Sequence, residues 1–145
     1  MKRIFAALFA VFVTLSSPLA DARDTRLKLP VAAALAKGEA SGKLPSGVRF
    51  YFGGQSPGKA AKSLGEVRTN RKTNFFNKSD TVGCDWAFLS AMIALGERAK
   101  QLGGDAVINI RSNYRNQEFK SDTEYECGAG AVTGGVAFIG EVVKL

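Results

Sequence analysis

Two cysteines, Cys84 and Cys127, constrain this chain more than any other feature, because each falls in a segment whose period fixes where its side chain points. Ser79 or Asp80 can cap a helix and Gly103-Gly104 can stop one, and between them Thr81 to Leu102 repeats apolar residues at helical spacing. At about 100° per residue, Cys84, Phe88, Ala91, Met92, Leu95, Ala99 and Leu102 share one arc, a core-facing stripe. Thr123-Glu124-Tyr125-Glu126-Cys127 alternates as a strand, with Thr123, Tyr125 and Cys127 on one face and the glutamates on the other. A disulfide from the first turn of the helix to the strand beneath it is therefore expected. Closing a loop of about 44 residues contributes about 4 kcal/mol on the chain-entropy account. The rival is a reactive thiol at the helix start; the chain offers it neither a Cys-x-x-Cys pair nor any histidine.

The remaining elements are shorter. Leu27, Leu29, Val31 and the alanines ending near Lys37 suggest a short helix or extended arm, followed by a loop through Gly38, Ser41, Gly42, Pro45 and Gly47. Val48 to Phe52 reads as a strand, Pro57 to Leu64 as one or two helical turns, and Glu66 to Thr69 as a second short strand. Asp105 to Ser112 reads as a strand. Gly128 to Leu145 suits strands bent or bulged near Gly128 to Gly135, giving two or three antiparallel strands under the long helix. The helix carries a second apolar stripe, Val82, Trp86, Leu89 and Ile93, which needs a cover. The arm with Leu27, Leu29, Val31 and Leu35 is expected to supply it within the chain, and another subunit is the alternative.

Lys2 and Arg3, the apolar run Ile4 to Leu15, and Ala20-Asp21-Ala22 predict a signal peptide over residues 1–22. The run is shorter than the ~20 residues of a membrane span. Lipidation would need a cysteine at the cleavage point, and the first cysteine is Cys84. Residues 23–145 are then one exported, periplasmic or secreted domain. The whole chain carries +7, and loss of two cations and one anion with the leader leaves +6, which favours anionic partners.

Thr69 to Asp80 reads as a polar basic loop in which Arg71, Lys72 and Lys78 surround Phe75 and Phe76. Such interleaving can bind anions and stack rings; equally, the phenylalanines can fold into the core. No cofactor or metal is expected: histidine is absent, Glu118, Asp122, Glu124 and Glu126 lack calcium-loop spacing, and the Gly-rich segment lacks the lysine of a phosphate loop.

Arg98-Ala99-Lys100-Gln101-Leu102-Gly103-Gly104-Asp105-Ala106-Val107-Ile108-Asn109-Ile110, with the later Tyr125-Glu126-Cys127 and its Gly-rich sequel, resembles a group of proteobacterial exported proteins that often carry the label "excinuclease ATPase subunit". The resemblance covers most of residues 23–145. The label implies DNA repair; with its short length, leader and missing phosphate loop this chain departs from it, and we read the label as a misannotation. More distantly, the run from helix into Leu102 to Ile108 is similar to the YbjQ-like family and to the Rcs envelope-stress sensor lipoprotein. That likeness implies a compact α+β domain with sheet against helix. The sensor's anchor and extra cysteines and the YbjQ-like group's metal ligands have no counterpart here.

The expected molecule is thus a single α+β domain, a small antiparallel or mixed sheet against one long helix, without catalytic function. It would bind or sense an anionic envelope polymer or envelope protein through Arg68, Arg71, Lys72, Phe75, Phe76, Lys78 and Trp86. Nucleic acid is a disfavoured partner, and an oligomer-forming module is the alternative reading.

Overall fold

A computed structural model describes residues 23–59 and 61–145; the expected signal peptide lies outside them. In chain order the elements are β1 (Thr25–Pro30), α1 (Val31–Ala40), β2 (Arg49–Phe52), β3 (Lys62–Asn74), α2 (Asp80–Gln101), β4 (Ala106–Ser112), a 3₁₀ turn at Tyr114–Asn116, β5 (Glu124–Ala129) and β6 (Thr133–Lys144).

The strands form one mixed sheet organised around β6. One edge of β6 pairs with β3 along its length, from Lys62 opposite Lys144 to Asn74 opposite Thr133. The other edge is divided: β5 takes Gly134 and Gly135, and β4 takes Phe138 to Val143. Beyond these, β1 pairs antiparallel with β5, and β2 pairs parallel with β4. The division requires β4 to break register, which it does between Ile108 and Arg111. Asn109 sits there at φ 51°, in the left-handed region that asparagine tolerates better than most residues.

Long helix α2 covers the sheet. Its Ser79 cap accepts a bond from the Val82 amide at 3.2 Å, and Gly103, at φ 78°, ends it as expected. The first apolar stripe is buried from Cys84 to Ala99, and Leu102 packs half-buried at its end. Phe88 enters a ring cluster with Phe52, Tyr125 and Phe138, its centroid 4.6 Å from that of Tyr125; such pairs contribute about 1 kcal/mol each beyond area burial. Cys84 and Cys127 are bonded, with Cα atoms 6.0 Å apart and both residues at 0% exposure.

Three expectations change. The helical turns expected over Pro57 to Leu64 are loop followed by the start of β3, and the loop expected over Thr69 to Asp80 is strand as far as Asn74. The segment from Gly128 onward holds the expected bend, at residues 131–132 between β5 and β6, but the sheet has six strands among the described residues rather than two or three, and Gly134 lies inside β6 beside a ring. A Cβ on Gly134 would lie 2.7 Å from the Phe75 ring, and so would a Cβ on Gly83 of α2. Phe75 is a wedge between helix and sheet, 2% exposed, with its amide bonded to the Val132 carbonyl at 2.7 Å.

This wedge predicts an inverted glycine effect. In a helix interior Gly→Ala ordinarily stabilises by about 1 kcal/mol. Gly83→Ala should instead destabilise by roughly 1–3 kcal/mol through overpacking, and Phe75→Leu in the same chain should recover part of that loss in urea unfolding. A stabilised single variant would mean that Phe75 is not held there.

Candidate functional site

Packing consumes one side of α2 and leaves another in water. Val82 is 44% exposed and Trp86 52% exposed, while Leu89 and Ile93 are half-buried. The N-terminal arm does not cover this stripe as expected. Leu27 and Leu29 lie on β1, where pairing with β5 directs them to the core. The rest of the arm, Val31 and Leu35, lies on α1, which does approach: a Cβ on Gly38 would stand 3.5 Å from Leu89, and Ala34, Lys37 and Gly38 line a hollow with Leu89 and Trp86 that leaves Trp86 open to water on its outer side.

Two cations border what remains. A groove of about 360 Å³ is lined by Trp86, Leu89, Ser90, Ile93, Ala94 and Glu97 of α2, by Lys43 from the loop after α1, and by Arg71 of β3. The Lys43 ammonium stands 5.4 Å from the Trp86 ring centroid, within cation–π range. Arg71, Ala94 and Glu97 also line a second hollow, about 520 Å³, which runs between Glu66–Thr69 of β3 and Arg98 and Gln101 of α2. The two adjoin at these three residues along the seam of helix and edge strand.

Of the residues expected at a binding surface, Arg71 and Trp86 meet in this groove. Arg68 reaches the second hollow, with its guanidinium 3.0 Å from Glu66, whose carboxylate also lies 3.8 Å from Arg111. Lys72 falls on the face of β3 opposite Arg71, since neighbours in a strand alternate. Lys78 turns back to the Asn74 carbonyl at 2.9 Å. Phe76 is 61% exposed but lies in the turn after β3. Phe75 leaves the candidate surface altogether, because the glycine slot has taken its ring into the core. No pattern in the sequence marks Lys43, whose position depends on how the loop after α1 turns at Gly42, φ 68°.

Other polar clusters close upon themselves. Tyr114 lies over Gly128, where a Cβ would meet its ring, and donates to Asp24 at 3.0 Å. Asp24 also pairs with Arg115 at 2.9 Å, and Arg26 and Arg115 approach the Tyr114 ring. Burial first, then Asp24, raises the Tyr114 hydroxyl above its ordinary pKa. Asp122 accepts from the Gly54 amide at 2.6 Å. Among the described residues no group of three or more cysteines or carboxylates is arranged to hold a metal ion, and no helix is long and apolar enough to cross a membrane.

No family model matches the chain, and neither a curated protein nor a solved structure matches it.

At the start of α2, Asp80 accepts two bonds from the Arg23 guanidinium, at 2.9 and 2.7 Å. That hydrogen-bonded cation holds the Asp80 carboxyl below the usual carboxylate range. A depressed carboxyl contributes stability above its unfolded pKa of about 4 and loses it as pH falls through the lower folded value. Asp80→Asn should therefore be less stable than the parent at pH 7, with the gap closing as the pH is lowered below about 4. A gap unchanged with pH in urea unfolding would remove the charge from this account.

Proposed function

We propose that this chain is a periplasmic binding domain, without catalytic role, that takes an anionic envelope component along the seam between α2 and β3. The observation that carries the reading is the pair of cations, Lys43 and Arg71, bordering exposed Trp86. Neither has an ion-pair partner among the described residues. Arginine offers a planar fork suited to carboxylate or phosphate, and Trp86 offers an apolar ring face beside it. The charge of +7 on the whole chain favours encounter with such ligands over long range. The leader and the disulfide suit an oxidising, extracytoplasmic compartment. A binding role suits the cysteines too, since bonded sulfurs at 0% exposure offer no nucleophile.

The alternative reading, an oligomer-forming module, draws on the bare side chains of Val82 and Trp86. Lys43 and Arg71 weigh against it, since a symmetric contact would enclose two copies of this cation pair with one acid, Glu97, lining each groove.

Trp86 is the chain's one tryptophan and reports the groove directly. Titration of residues 23–145 with carboxylated peptidoglycan fragments, an anionic lipopolysaccharide and polyglutamate should change its emission with at least one probe. Arg71→Glu and Lys43→Glu should each weaken that response about tenfold, and added salt should weaken it further. A response indifferent to both reversals, or none with any probe, would refute the reading; concentration-dependent emission with a dimer in light scattering would favour the oligomer.

A further inference from the structure

Three strands of the sheet have an unpaired edge among the described residues: β1, β2 and β3. Two are blunted. β1 has six residues and ends in Pro30, and β2 has four, so neither offers a ladder of useful length. β3 has 13 residues and no proline. From Gly65 opposite Val142 to Asn74 opposite Thr133 it runs against β6 in unbroken register, so its other edge is equally regular. Apart from the ladder to β6, the one described bond to the main chain of β3 comes from Lys78, at the Asn74 carbonyl.

The charges on β3 select what can pair there. Lys62, Arg68, Arg71 and Lys72 stand against a single acid, Glu66, which Arg68 and Arg111 already bracket. Arg98 of α2 flanks the same seam. A second copy adding antiparallel would bring together two edges that each carry four cations and one acid, so most registers leave positive charge unbalanced along the ladder. A polyanionic glycan could meet the cations but has no amide ladder for the edge. An extended acidic polypeptide satisfies both demands. Its main chain would pair with β3, and its alternating side chains would present carboxylates to Arg71 and Arg98 on the helix side and to Arg68 and Lys72 on the other.

We propose that β3 is a strand-addition site for an extended, acidic segment of another polypeptide. This rests on the reading of the chain as a binder of anionic partners and names the partner's class.

The test uses oxidised protein of residues 23–145 and a blocked ten-residue peptide alternating Glu with Thr or Val. Versions N-methylated at every second residue, in either phase, keep the charge and remove the amides along one edge. Binding of the parent peptide should slow amide exchange at alternate residues between Glu66 and Asn74. Methylation in the phase facing β3 should abolish binding, and Arg71→Glu with Lys72→Glu should weaken it about tenfold or more. Tight binding with β3 exchange unchanged, or indifference to methylation in both phases, would overturn strand addition while leaving capture of anions by side chains intact. Failure of the peptide where an anionic glycan binds would do the same. Failure of every anionic probe would remove both readings, and concentration-dependent protection of β3 without peptide would make a second copy the occupant and overturn the proposal.

Discussion

The bond between Cys84 and Cys127 joins the first turn of α2 to the middle of β5, and the placement of almost everything else follows from where that joint holds the helix. With Cys84 facing the sheet, the helical repeat takes Phe88 into the rings of Phe52, Tyr125 and Phe138 and takes Ala91, Met92, Leu95 and Ala99 along the same buried line. The same rotation turns Val82 and Trp86 outward. The exposed stripe is thus the geometric complement of the joint, and Arg71 and Lys43 border it because β3 and the end of α1 flank the helix on either side.

Close approach between α2 and the β3–β6 pair needs glycine where rings intervene. Phe75 fills a slot between Gly83 and Gly134, while on the sheet Tyr114 lies over Gly128. The Phe75 slot fixes the end of β3 and the start of β6 against the helix, while Tyr114 packs on the face of β5 away from it. Long, regular β3 is left on the outside with one edge unpaired among the described residues. On the proposed reading, charge on that edge would both discourage copies of the chain from joining edge to edge and favour a partner of opposite sign.

Where a segment buries one clean face, its period in the sequence reveals it. The limits of α2, its buried stripe, the strand face shared by Tyr125 and Cys127, and the disulfide were all legible for that reason. The strand character of β3 was hidden because an edge strand with α2 on one face needs few apolar residues: Val67 is buried there, and Thr69 and Thr73 are half-buried. What remains of Arg68 to Asn74 is polar enough to read as loop. The bend read over Gly128 to Gly135 is there, at residues 131–132, but the start of β6 was hidden, since Gly134 and Gly135 look like part of that bend until Phe75 and Arg71 are seen packed against them. Trp86 and Arg71 were legible one at a time as an exposed ring and a cation. Their meeting with Lys43 was not, because it depends on three elements far apart in the chain.

The account depends most on the joint between α2 and β5, and equilibrium unfolding of the oxidised protein against the Cys84→Ala, Cys127→Ala double variant tests it most directly. The bridged residues are 43 apart, and loss of the crosslink should cost about 4 kcal/mol through the freed unfolded chain. A double variant within about 1 kcal/mol of the parent would contradict the claim that this bond holds the helix to the sheet.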